Sequence, residues 1–159
     1  EGDRRFKNVK HDTRSLIFTW AQKEFRNLEQ ATRAKVPVPK PIAVERNVLV
    51  MEFIGKDGVS APSMKEQPPS DPEKVYSLLL AYLKRLYRKA ELVHGDLSEY
   101  NIMMWKGKPV IFDVSQAVPT SHPMAGFLLH RDLENMSRFF SRLGVKVLSV
   151  EEAYRRVAG

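Results

Sequence analysis

Cysteine is absent from all 159 residues, so no disulfide framework and no thiolate metal centre can hold this chain together. No apolar run approaches the roughly 18 residues of a bilayer span, and the start has no signal-like pattern. Both absences lead us to expect a cytoplasmic protein with no membrane partner. Aromatic residues make up only 9% and are scattered, so no aromatic-rich RNA-reading motif is formed. Direct readout of nucleic-acid sequence is therefore not expected. What the chain does have is 43% hydrophobic residues, enough for one substantial core, and a formal charge of +7 with a pI near 9.7. Such a positive balance attracts phosphate, in a nucleotide or in RNA, although a solvated basic surface accounts for the same charge. Only "KRLYRK" (84–89) concentrates it.

The segment "DTRSLIFTWAQKEFRNLEQATRAK" predicts a helix capped by Asp12 or Thr13 and ending near Lys35, before Pro37. Its helical stripe runs through Ile17, Trp20, Glu24, Leu28 and Ala31. A carboxylate on a buried face needs a cation, so Glu24 is expected either to meet a Lys or Arg or to sit at the stripe's edge and reach water. "PIAVERNVLVMEFI" predicts two strands joined at Glu45, Arg46 and Asn47, the second running from Val48 to Ile54. Residues 55–74, rich in Gly and Pro, read as a surface connection. A helix over 75–90 comes next, with Leu79, Tyr82, Leu83 and Leu86 on its apolar face. Another helix is stopped at Gly144, and Ser149 with Glu152 caps the last one. The pattern is α+β: a small antiparallel sheet element and then a mostly helical body.

"LVHGDLSEYNIMM" (92–104) breaks an apolar run with His94, Gly95, Asp96 and Asn101. A turn explains one or two of these residues, not all. After Asn101, "IMMWKGKPVIFD" reads as a hairpin about Gly107, in which residue 105 faces 109 and Asn101 faces Asp113. Asp96 curls back toward the same end. Two carboxylates and an amide oxygen suit a hard cation such as Mg²⁺, which takes oxygen ligands and shares its shell with water and phosphates. Alternatively Asp96 accepts the proton of an attacking hydroxyl while Asn101 and Asp113 hold the metal, the division of labour that phosphoryl transfer needs. His94, a lone histidine beside an apolar run, reads as a structural residue.

The pattern H-G-D-x-x-x-x-N with an Asp twelve residues later resembles the catalytic loop and metal-binding aspartate of protein-kinase-like enzymes. Gly95 stands where Arg is usual, and "FDVSQA" replaces the D-F-G context. With "VLVMEFIG" and "HPMAGFLLHRDLENM", these motifs resemble the RIO family of atypical serine/threonine kinases, and within it the first, archaeal-like subfamily. The likeness runs from "EGDRRFKN" to "RLGVKVLS". It implies a bilobal kinase fold, with residues 1–54 as part of the small lobe and 55–159 as the large lobe. It also implies ATP with Mg²⁺ or Mn²⁺, Asp96 as catalytic base, and Asn101 and Asp113 as metal ligands. Asp113 is further implied as acceptor of a phosphate, giving ATPase behaviour. By the same resemblance Glu52 and Ile54 meet adenine through backbone groups, Met51 lines the pocket, Glu24 pairs with a nucleotide-binding lysine, and Asp132 braces the catalytic loop. The family's work in small-subunit maturation implies a small ribosomal subunit precursor as partner.

A glycine-rich phosphate cover and a strand lysine are expected before Glu24, and these residues hold neither. The resemblance therefore leads us to expect that the chain is part of a longer polypeptide, weak or inactive alone. Two other readings share the motif: a small-molecule phosphotransferase of the aminoglycoside-kinase kind, and a module whose nucleotide site only gates docking to a pre-ribosomal particle.

Overall fold

Residues 5–159 are described in a computed structural model, with side-chain surroundings from Leu16 onward. Helix α1 spans Arg5–Arg33. It begins well before the expected caps, so Asp12 and Thr13 lie inside it. No Gly or Pro interrupts residues 5–33, and without such a breaker a cap-favouring residue does not stop a helix. The far end is as expected: Lys35 takes a positive φ of 58°, and the Val36 N–H bonds back to the Ala31 carbonyl. Only the second half of the stripe is buried. Leu28 and Ala31 are in the core, whereas Ile17 and Trp20 are exposed, Trp20 at 64%. Periodicity defines a face, but whether another element covers it is a tertiary matter.

Strands β1 (Pro41–Glu45) and β2 (Val48–Met51) form the first antiparallel hairpin around Arg46 and Asn47. Contrary to expectation, the second strand stops at Met51 instead of running to Ile54. Beyond it the Glu52 N–H bonds to the Lys40 carbonyl, and Ile54 already accepts from Ala61 in a new ladder. That ladder continues as β3 (Gly55–Lys56) and β4 (Val59–Ser60). The region expected to be only a surface connection thus contains a hairpin, and it also buries Met64 to 1% exposure.

Helix α2 (Pro72–Arg88) starts where Asp71 accepts the Lys74 N–H and Pro72 occupies the first turn. Its expected face of Leu79, Tyr82, Leu83 and Leu86 is wholly buried. Next come strand β5 (Leu92–Val93), the hairpin of β6 (Ile102–Trp105) and β7 (Lys108–Ile111), and β8 (Val118–Pro119), which pairs with β5. Helices α3 (Ala125–Arg142) and α4 (Val150–Ala158) close the chain, the latter with the expected Ser149 and Glu152 capping box. The four two-stranded ladders among the described residues are all antiparallel. The architecture is α+β. The core lies between α2, α3 and α4, where Phe140 is fully buried against the rings of Tyr76 at 5.3 Å and Phe139 at 5.2 Å. No helix among the described residues is long and apolar enough to cross a membrane.

The β6 and β7 register differs from the expected one by a residue. Trp105 pairs with Lys108 and Ile102 with Ile111, so the loop is Lys106 and Gly107 alone, with φ of 49° and 73°. Two consecutive positive φ angles make the two-residue turn whose twist matches that of the strands, and this preference overrides a symmetric turn about Gly107. A Cβ on Gly107 would touch nothing within 4 Å, so Gly107→Ala tests backbone strain alone. It is expected to cost about 1 kcal/mol, read from the urea midpoint; no change would mean that the turn relaxes freely.

Candidate active site

The short strand β5 leads the chain to α3, and α3 shapes the loop that begins at His94. Asp132 is fully buried in α3 and accepts the Gly95 N–H through Oδ2 and the Leu97 N–H through Oδ1, both at 2.8 Å. Arg131 donates to the Gly95 carbonyl, and Asn135 donates to the Leu97 carbonyl at 3.1 Å. The residues on either side of Asp96 are therefore held at both N–H and C=O. Asp96 projects outward between them, exposed. Gly95 has φ of 81°, and a Cβ there would come within 3.2 Å of the Gln116 carbonyl, so a side chain at this position would strain the backbone and crowd that carbonyl.

Asn101 closes the loop. Its Oδ1 accepts the Ser98 N–H at 2.9 Å, and its Nδ2 donates to the Asp96 carbonyl at 2.6 Å. The one-residue change in register places Phe112, not Asp113, opposite Asn101, and the Phe112 N–H donates to the Asn101 carbonyl at 2.8 Å. Asp113 is the next residue, at φ of 60°, still at the same end of the hairpin. Its Oδ1 accepts the Ser115 N–H at 3.2 Å and the Ser115 hydroxyl at 2.5 Å. Helix α1 anchors this second loop: Asn27 donates to the carbonyls of Val114 at 3.0 Å and Ala117 at 3.4 Å, and Lys23 donates to that of Ser115 at 3.2 Å.

Asp96, Asn101 and Asp113 are thus gathered as expected from their spacing. The oxygens they offer suit a hard cation. Oδ2 of Asp113 and the Asp96 carboxylate accept no hydrogen bond among the described residues, and Oδ1 of Asn101 accepts only one. No group of three or more His, Cys, Asp or Glu converges among these residues. A two-residue oxygen set completed by water and phosphate oxygens is what Mg²⁺ tolerates best.

Glu24 faces the same loop from α1 and is half-buried. Burial first, then the negative charge of Asp113, pushes its carboxyl above the usual range. The expected Lys or Arg partner is not present among the described residues; Lys23, its neighbour, is turned to the Ser115 carbonyl instead. Met51, Glu52 and Ile54 line a cleft of about 450 Å³ together with Phe53, Met103 and Phe112. This cleft adjoins the site, since Phe112 precedes Asp113 and Met103 lies just beyond Asn101 in the paired strands. The Glu52 carbonyl and the Ile54 N–H are unused by other groups among the described residues. Sequence reasoning missed Lys23, Asn27, Ser115, Arg131 and Asn135. Of these only Asn27 left a signal, a polar residue four positions before the buried Ala31.

His94 is buried completely, and its Nδ1 accepts the Asp96 N–H at 3.3 Å. Burial lowers its pKa below 6.5, opposed by the charges of Asp132, Asp113 and Asp96. The Phe112 backbone acts in the same opposing sense without reaching hydrogen-bond geometry to Nε2. A histidine lowered on folding contributes stability that is present above its unfolded value of 6.5 and is lost as pH falls toward the folded one. The raised carboxyls of Glu24 and Asp132 act with opposite sign, adding stability as pH falls through their raised values. The His94 contribution to melting temperature is therefore expected to fall as pH drops below about 6.5, and His94→Gln is expected to remove that part of the pH slope. Identical slopes in both proteins would assign the effect elsewhere.

The family model described as the RIO domain matches residues 1–153. The chain is 49% identical over 144 residues to the RIO-type serine/threonine-protein kinase Rio1 of Haloferax volcanii, covering 91% of this chain and 49% of that protein. It is 42% identical over 159 residues to Rio1 of Methanocaldococcus jannaschii, covering 100% of this chain and 54% of the relative. This chain thus spans about half the length of these archaeal proteins. Among solved structures, the Rio2 kinase of Chaetomium thermophilum in an ADP/Mg²⁺-phosphoaspartate complex superposes with a TM-score of 0.75 at 28% identity, over 91% of this chain and 46% of that one. The fold is that of a protein-kinase-like domain, present here in part. On the matched length and on these identities, the chain belongs to the RIO domain family.

Proposed function

We propose that the full-length protein carrying this chain is an ATP- and Mg²⁺-dependent serine/threonine kinase and ATPase, working in the cytoplasm on small ribosomal subunit precursors. The observation that carries this reading is the loop clamped by Asp132, which holds Asp96 outward and bonds its carbonyl to Asn101, one residue from the ladder that presents Asp113. The names of the related kinases support the reaction, and the ADP/Mg²⁺-phosphoaspartate state reported for the Rio2 structure supports the cofactors. The charge of +7 suits a ribonucleoprotein partner.

In this reading residues 1–54 belong to the small lobe and 55–159 to the large lobe. Adenine lies in the cleft beside Met51, where the Ile54 N–H donates to it and the Glu52 carbonyl accepts from it. Oδ1 of Asn101, which keeps a lone pair beside the Ser98 N–H bond, and the Asp113 carboxylate would hold Mg²⁺. Bound Mg²⁺ supplies neutralisation of phosphate charge as the phosphoryl group transfers. Asp96 takes the proton of the acceptor serine hydroxyl, for which its carboxylate is free. Asp113 is also a phosphate acceptor: its free oxygen forms the bond to the γ-phosphorus as the bond to the ADP oxygen breaks, and water later releases phosphate. Glu24 waits for a cation on a segment outside the described residues.

The test is phosphate release and serine phosphorylation by the full-length protein, beside nucleotide binding and a screen of small hydroxyl substrates. Turnover with serine acceptors is the expected result. Tight nucleotide binding with neither reaction, or transfer only to small molecules, overturns the reading.

A further inference from the structure

Helix α3 carries one polar stripe at positions 131, 135, 138 and 142. Its first two members, Arg131 and Asn135, are committed to the carbonyls of Gly95 and Leu97. Its last two, Arg138 and Arg142, extend past that loop into a cavity of about 230 Å³ lined also by Ser98, Glu99 and Tyr100. Both arginines are exposed, and neither makes a hydrogen bond or an ion pair among the described residues.

Two like charges at i and i+4 repel and cost helix stability, and no acid on α3 relieves them: Glu134, four residues before Arg138, is placed against His130. Glu99 is the sole carboxylate lining the cavity and bridges to neither. The neutral polar groups nearby are already used, since Asn135 holds Leu97 and Ser98 bonds to Asn101 and Tyr100. Lys65 adds further positive charge, with its ammonium 5.9 Å from the Tyr100 ring centre. The site therefore offers two unspent guanidinium forks in a space below the size of a small-molecule pocket, suited to one anionic side chain.

Its position gives it a use. Arg138 lies seven residues, or about 10 Å along the helix, from the Arg131 that grips Gly95 beside Asp96. An extended peptide covers that distance in about three residues. We propose that this cavity receives an acidic side chain of the protein substrate, aspartate, glutamate or phosphoserine, about three residues from the hydroxyl that meets Asp96. The proposal rests on the reading of the site as a protein kinase. It makes Arg138 and Arg142 specificity residues that lie outside the phosphoryl-transfer centre.

The test uses the full-length protein and fluorescent serine peptides in which a single aspartate, phosphoserine or lysine is moved through four positions on either side of the serine. Binding is read by anisotropy and transfer by kcat/KM. One acidic position is expected to improve both by roughly tenfold. Arg138→Ala with Arg142→Ala is expected to remove the preference while leaving peptide-free ATP hydrolysis within about twofold, and Arg142→Glu is expected to move the preference to lysine. Lysine at both positions keeps charge but loses the fork, so it recovers only part of the gain. Equal binding of acidic and neutral peptides by the unaltered protein, or a preference that survives the double alanine change, overturns the proposal. So does selective binding of a single-stranded RNA oligonucleotide through the same arginines without binding of acidic peptides. Because binding is measured without turnover, a protein that captures acidic peptides but transfers no phosphate keeps the pocket and overturns only the kinase reading.

Discussion

Replacing Asp113 by alanine in the full-length protein is expected to lower phosphate release from ATP by at least about 100-fold, with the melting temperature lowered by only about 2–4 °C, since alanine is strained at a φ of 60°. The two halves of this expectation have separate causes. Asp113 is exposed and its bonds are confined to Ser115, so the core does not notice its loss. Its carboxylate, by contrast, supplies both the proposed metal ligand and the proposed phosphate acceptor. Asp96→Ala is expected to lower serine phosphorylation by a similar factor, because the carboxylate held outward by its neighbours has no substitute in the loop. A spectroscopic consequence accompanies the first change. The charge of Asp113 helps to raise the Glu24 carboxyl, so Asp113→Ala should bring Glu24 back toward its ordinary range without reaching it, since burial, the larger cause, persists. Turnover that is unchanged in both alanine variants would place the reaction elsewhere in the molecule.

Asp132→Ala is expected to destabilise the protein by about 3 kcal/mol, measured as a lower urea midpoint, and to open residues 94–101 to proteolysis. The buried carboxylate answers two amides, those of Gly95 and Leu97, and alanine leaves both without an acceptor. Burial raises the Asp132 carboxyl, while His94, the two amides and Arg131 pull it back down. Asp132→Asn keeps one acceptor oxygen, so about half the loss is expected, with catalysis reduced more than stability because the peptide units flanking Asp96 are no longer both held. A variant as stable as the parent with an intact loop would mean that Arg131 and Asn135 suffice to shape it.

The parts of the site that are legible in the sequence are those in which chemistry is local. His94, Gly95, Asp96 and Asn101 stand within eight residues, and one hairpin brings Asp113 back to them, so strand pairing alone is enough to deduce their convergence. Symmetry about Gly107 misplaces the register because it ignores the twist that favours two positive φ angles in succession. Cap preference misplaces the start of α1 because it is weak against an uninterrupted helix. The burial of Met64 escapes a reading of its Pro- and Gly-rich surroundings, because those residues advertise turns and do not say whether a turn crosses the core.

The sequence by itself determined the α+β pattern, the buried face of α2, and the oxygen-bearing residues of the site, because periodicity and short spacing are properties of neighbouring residues. The resemblance already implied that Asp132 braces the loop, but tertiary structure alone decided that it does so through the Gly95 and Leu97 amides, 37 and 35 positions away, and that Asn27 anchors the Asp113 loop from 87 positions away. It alone decided that Trp20 lies exposed and that Arg138 and Arg142 stay unpaired among the described residues, beside the loop. Such outcomes depend on which surfaces meet, and a buried carboxylate or a free guanidinium looks the same in the sequence until its partners are in place.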